Sequence, residues 1–311
     1  MKMKNLILPL LLAFTFAQNI FAEQRSFTEH KVSVGNYNLY AREYKGAEPA
    51  IILLHGFPDN HTLYDSLLPY LSTRHVITFD FMGWGSSDKP NPKNYKYGDL
   101  QQSQEIDAVV NYFKLETVVL APHDMSGPAA INWSLDHKAK SSGIIIMNTY
   151  FANSKNRKVP FTGWALSTPI MRQFTLPFCV PDFLWNPVLK LSIKKFFTST
   201  ENRKAFQKPF IAQFGGLKNK RGFFRTIATI KNTASRGTKR IPELKEYNKP
   251  VAIIFGSGDK AFSTNLAEEL HGLFPNSKVN IIENASHYPQ IDAPKKVGEL
   301  MNAFLAKGSA L

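Results

Sequence analysis

Thr117-Val-Val-Leu-Ala-Pro-His-Asp-Met-Ser-Gly-Pro128 is the stretch on which the reading of this chain turns. Val118, Val119 and Leu120 form a β-branched, apolar run of the kind that becomes a buried strand. Pro122 is expected to end that strand, and Gly127-Pro128 to open a helix, because proline fits a first helical turn. His123, Asp124, Met125 and Ser126 then occupy a short strand-to-helix turn. A side chain at the tip of such a turn stands clear of the sheet, beside the first amides of the next helix. That position suits a nucleophile whose reaction creates negative charge.

Two residues compete for the tip. A serine nucleophile at Ser126 would want small residues two positions to either side, yet Asp124 and Pro128 stand there, so the G-x-S-x-G pattern is absent. Asp124, with Gly127 close behind it, makes the better elbow. The bland alternative is a helix-capping aspartate, a common use of that residue.

Working outward, residues 30–44 alternate loosely and read as an antiparallel hairpin. Apolar runs follow at Ala50–Leu54, His75–Phe79, Gly143–Met147, Val251–Phe255 and Val279–Ile282. They alternate with helical patterns near 100–113, 128–137, 263–273 and 294–306. Buried parallel strands with helices on both faces would produce this order, an α/β architecture. His55-Gly-Phe-Pro58 directly follows one strand, and Asp80-Phe-Met-Gly-Trp-Gly-Ser-Ser-Asp-Lys-Pro90 the next. With these loops in place the chain resembles the α/β-hydrolase fold over nearly its whole length. The resemblance implies that the Phe57 and Met125 N–H groups form an oxyanion hole and that the loop from Asp80 is structural.

The resemblance also implies a chain order of nucleophile, acid, histidine. Phe255-Gly-Ser-Gly-Asp259 puts Asp259 just past one strand, and Asn284-Ala-Ser-His287 puts His287 just past the next. A histidine so placed suits general-base work near neutral pH, and a neighbouring carboxylate can fix its tautomer. Asp292 competes for the acid role but precedes Ala293-Pro294 and reads as the cap of the last helix. His55, His123 and His271 read as local hydrogen-bonding or surface residues.

An aspartate nucleophile narrows the chemistry. Attack on a saturated carbon gives an alkyl ester, which water activated by His287 can hydrolyse. His-Gly-x-Pro combined with His-Asp at the elbow is similar to epoxide hydrolases and haloalkane dehalogenases, with Asp124 as nucleophile, His287 as base and Asp259 as its orienting acid. The chain then departs from both groups. Met125 and Phe57 stand where dehalogenases usually carry halide donors, and neither side chain donates a hydrogen bond. Epoxide hydrolases usually protonate the opening oxygen with tyrosines of an inserted cap, yet residues 152–245 contain no tyrosine or histidine. Phe223-Phe224 lies about where such a tyrosine is expected. Tyr150 is the favoured remaining acid, and Trp164 and Trp185 are the available indole donors. Small apolar epoxides are the favoured substrates and alkyl halides the alternative; no cofactor or metal is implied. A non-catalytic binder of a hydrophobic ligand is the reading from another class.

Residues 151–247 differ in composition from the two core segments, 23–150 and 248–311. They hold 19 Lys/Arg against 4 Asp/Glu and 12 of the 24 phenylalanines in a chain of 311 residues and net charge +14. This is expected to be a helical cap with phenylalanine inside and basic residues outside, roofing an apolar pocket over Asp124. Its charge fits a solvated face or weak docking to an anionic membrane surface. No nucleic-acid module is recognisable. Residues 1–22 carry the basic, apolar and small-residue zones of an export signal ending near Ala22, so a periplasmic or secreted protein is expected. Cys179 is the one cysteine, which leaves no intramolecular disulfide and suggests a small buried apolar residue.

Overall fold

The computed structural model describes residues 25–159, 161–179 and 181–308. The leader expected at 1–22 lies outside them. In chain order the first half comprises β1 (Thr28–Val34), β2 (Tyr37–Tyr44), β3 (Ala47–Leu54), β4 (Arg74–Phe79), α1 (Asp99–Tyr112), β5 (Val118–Asp124), α2 (Gly127–Asp136) and β6 (Ser141–Thr149). Helices then run unbroken by strands: α3 (Phe161–Ser167), α4 (Pro169–Cys179), α5 (Asp182–Ile193), α6 (Thr200–Ala212), α7 (Gly216–Ile227), α8 (Ile230–Lys239) and the single turn α9 (Ile241–Leu244). The chain returns to the sheet with β7 (Val251–Gly256), α10 (Thr264–His271), β8 (Ser277–Ile282), the turn α11 (Pro289–Asp292) and α12 (Pro294–Gly308).

The eight strands form one sheet in the order β1-β2-β4-β3-β5-β6-β7-β8. Only the β1/β2 and β2/β4 pairs are antiparallel; β4 through β8 run parallel. Strand alternation divides the core in two. Ile145, Met147, Ala252 and Ile254 join one cluster, while Ile144, Ile146, Ile253 and Phe255 join the other. Both faces are therefore covered, and continuous apolar runs follow, as in the interior of a parallel sheet.

Pro122 does not end β5. It pairs in register with Leu54 of β3, while the β5/β6 register passes from Leu120 to His123 without it. A residue lacking an N–H is tolerated where the ladder already has a gap. The helical segment also departs from expectation. Phe206, Phe210, Phe214 and Phe223 are buried, but Phe161, Phe174 and Phe183 face outward. Conversely Lys220 is buried and paired with Asp182. Cys179 is half-buried rather than buried.

Candidate active site

Asp124 is the last residue of β5 and has φ of +50°. For a residue with a Cβ this is a strained left-handed conformation, held only because the surroundings over-determine it. The surroundings are tight. A Cβ on Gly127 would overlap the side chain of Thr149, whose hydroxyl donates to the Asp124 carbonyl. A Cβ on Gly56 would lie 2.6 Å from that of Asp124. The elbow thus leaves its carboxylate at the sheet's edge, next to the start of α2.

Phe57 N–H donates to Asp124 Oδ2 at 2.8 Å, and the Met125 N–H also bonds the carboxylate. The two amides expected from the sequence do converge on the Asp124 carboxylate. Burial raises the Asp124 pKa, against the opposing pull of His287 and these amides. Ser126 is turned away. Its hydroxyl accepts from His123 N–H at 3.0 Å and lies 2.8 Å from the His123 carbonyl and 3.0 Å from that of Leu54. It braces the elbow from beneath and does not line the cavity above.

His287 and Asp259 meet at Nδ1–Oδ2, 2.8 Å. Asp259 is itself held by the N–H groups of Ala261 and Phe262 and by the Asn148 side-chain amide. Burial works against charge on His287, but Asp259, assisted by Asp124 and Asp59, outweighs it and holds the imidazole at about 9. For Asp259, burial is likewise outweighed by His287, and its carboxyl lies below the usual range. The resting pair is an imidazolium and a carboxylate.

Two residues of this site escaped the sequence reading. Asn148, at the carboxyl end of β6, accepts from Gly256 N–H and so ties Asp259 to the sheet. Asp59, one residue past His-Gly-Phe-Pro, is fully buried and accepts from the Tyr288 hydroxyl at 3.2 Å. Burial first, then the like charge of Asp124, pushes it up to about 7. For Asp59 the available signal was a carboxylate directly after the His-Gly-Phe-Pro loop; Asn148 left none. Asp292 is not the cap of α12: it accepts from Ser286 and Thr198 N–H groups, clamping the histidine loop to the helical segment. His55 is a structural donor–acceptor, taking the Phe81 N–H at 3.0 Å, and His123 Nε2 bonds the His287 carbonyl at 2.7 Å. His271 meets Ser277 near the surface. The Asp80 loop is structural, its carboxylate bonding His61 and the Ser86 N–H.

A cavity of about 440 Å³ lies between Asp124, His287 and helices α3, α5 and α7. Its wall is mostly apolar, and Phe223 packs on Phe57 at 4.6 Å between ring centroids. In that wall Trp185 Nε1 has no hydrogen-bond partner among the described residues, and Tyr150 Oη and Arg157 Nη1 have none beyond the approach of the Arg157 side chain to the Tyr150 hydroxyl. Arg157 stacks over the Tyr150 ring at 4.0 Å. Burial raises the Tyr150 phenol, and Arg157 partly offsets that rise. Trp164 does not join them. It is 43% exposed on α3, with its ring against Phe161.

The sheet order, the elbow after β5 and the acid and histidine after β7 and β8 define the α/β-hydrolase fold. Residues 49–186 match the family described as alpha/beta hydrolase fold, and the chain has that fold. It is 24% identical over 280 residues to LipZ of Mycobacterium tuberculosis, covering 86% of this chain and 92% of that protein. Among solved structures it is similar to haloalkane dehalogenase DbeA from Bradyrhizobium elkani, with TM-score 0.76 and 18% identity, covering 92% of this chain and 99% of that one. It is similar also to epoxide hydrolase CorEH, with TM-score 0.70 and 18% identity over 91% and 99% of the two chains.

Proposed function

We propose that this protein is a hydrolase that opens small, largely apolar epoxides through an ester on Asp124. The observation that carries the reading is one cavity holding an amide-bound aspartate at a strained elbow and a buried tyrosine hydroxyl beside Arg157. Phe57 N–H occupies Oδ2, which leaves Oδ1 to attack a ring carbon. The carbon–oxygen bond breaks as the new bond forms, and the departing oxygen takes the proton of Tyr150. Arg157 beside the ring stabilises the phenolate left behind. The imidazolium of His287 passes its proton through water to the Tyr150 phenolate, and the neutral ring then takes a proton from the water that attacks Cγ of Asp124. The Phe57 and Met125 amides hold the resulting oxyanion until it collapses; the leaving alkoxide takes the proton from His287 to complete the diol, and the carboxyl proton of Asp124 returns to His287, restoring carboxylate and imidazolium.

A second reading rests on Trp185. Trp185 is 1% exposed and lines the cavity, and its indole N–H is unpartnered among the described residues, as a halide-binding donor would be. The two differ in what stays on the enzyme. A His287→Ala protein incubated with panels of epoxides and haloalkanes should retain the ester, read by intact-mass spectrometry. An adduct of whole epoxide mass, reduced about 100-fold in formation rate by Tyr150→Phe, is the expected result. An adduct lacking halogen, abolished by Trp185→Phe, would replace this reading with dehalogenation. Absence of any adduct on a folded, ligand-binding protein would remove both. The leader-like residues 1–22 support export, so the substrate would be met outside the cytoplasm.

A further inference from the structure

Helices α3, α4 and α5 present an uncommon surface. Phe161, Ile170, Phe174, Phe183 and Leu191 are each between 68% and 76% exposed, with Trp164, Leu184 and Val188 partly so. Exposed single apolar residues are ordinary, but a group of this size on adjoining helices marks an interaction site. α4 packs on α3 and α5 packs on α4, so the group lies across one row of helices. Along α5 the outward residues 183, 184, 188 and 191 recur at helical spacing.

Two further features identify what covers it. First, Phe161, Val188 and Leu191 belong both to this outer face and to the wall of the cavity above Asp124. The cavity therefore opens within the apolar face rather than beside it. Second, the same stretch is basic. Lys158, Arg172, Lys190, Lys194 and Lys195 stand against one acidic residue, Asp182, between 158 and 197. Asp182 is taken by Lys220. An apolar helical face fringed by lysine matches a bilayer whose headgroups are anionic, where apolar side chains enter the interface and cations stay at headgroup level. A second copy of this chain would bring the same positive fringe against itself.

We propose that the α3–α5 face docks on an anionic phospholipid bilayer, with the cavity mouth opening into it. Lipophilic substrate would then pass from acyl-chain depth to Asp124 without crossing water. The docking stands on the surface alone; the passage of substrate also rests on the proposed function.

The test is flotation of the purified protein with vesicles of phosphatidylcholine alone or mixed with phosphatidylglycerol, at low and high salt. Capture by the anionic vesicles is expected, weakened as salt shortens the screening length from ~10 Å at 0.1 M to ~3 Å at 1 M. Lys190→Gln and Lys194→Gln should each weaken partition about fivefold. Phe174→Glu with Phe183→Glu, neither lining the cavity, should abolish it while leaving the melting temperature and turnover of a water-soluble substrate unchanged. No capture at low salt, or capture indifferent to the glutamate pair, would overturn the proposal. So would sedimentation showing a dimer that the glutamate pair splits into monomers. Asp124→Asn protein should bind as the parent does, so docking can fail or succeed independently of the chemistry.

Discussion

In the proposed reaction Asp124 must be anionic to attack, yet it sits in a buried cavity, and His287 answers part of that conflict. In the resting site the imidazolium supplies the counter-charge, and its own pKa of about 9 is the other side of the same interaction. Such an imidazolium cannot accept a proton. Esterification of Asp124 removes one of the negative charges that hold His287 up, so its pKa falls when a base is needed. Ester hydrolysis should accordingly rise with pH along a curve whose midpoint lies below about 9. Ester formation should not follow that curve. Quenched-flow mass spectrometry between pH 6 and 9 would separate the steps, and a flat hydrolysis rate would show that His287 is not the base.

At the scale of elements, the turn joining β5 to α2 works only with the loop after β3. A Cβ on Gly56 would lie 2.6 Å from Asp124 Cβ and 2.9 Å from His123 Nδ1. Gly56→Ala should therefore push the Phe57 amide off Oδ2. Hydrolysis of the ester should fall about 100-fold, the usual cost of losing an oxyanion donor, while the protein stays folded. An unchanged rate would take Phe57 N–H out of the mechanism. Gly56, Asp124, Asp259 and His287 were legible because each closes a short apolar run, and the fold delivers such positions to one edge of the sheet. Pro122, Asn148 and Asp292 were not. The place of Pro122 depends on register with β3, that of Asn148 on β7, and that of Asp292 on a loop before α6, none of which leaves a local pattern. The exposed phenylalanines were misread for a related reason: helical periodicity says which residues share a face, not what that face meets.

For the whole molecule, buried ionisable groups make stability depend on pH. Asp59 and Glu105 are raised to about 7, so folding binds protons that the unfolded chain has released, and their contribution is lost as pH rises toward 7. His55, lowered to about 4, and His123, held well below the usual imidazole range by burial, act oppositely, because the unfolded chain takes protons that these folded rings refuse. The two trends offset between pH 4 and 6.5. Above that, His287 acts with little opposition: its stabilisation is full below ~6.5 and is lost as pH passes about 9. Denaturant unfolding should show stability falling by up to ~3 kcal/mol from pH 6 to 9.5. The slope should largely disappear in His287→Gln; its persistence there would assign it elsewhere.

The chain leaves the sheet past Phe151 and comes back beside the same point, where a Cβ on Gly237 of α8 would overlap the Phe151 carbonyl. α8 is also tied down there, with Thr233 and Arg236 bonded to Asp99 at the start of α1. Everything between is a detour whose two stems touch. Such a detour can be lengthened, shortened or replaced wholesale while the elbow, the amides and the acid–histidine pair keep their register. The carboxylate, amides and acid–histidine pair are thereby carried by one part of the chain and most of the apolar wall above them by another.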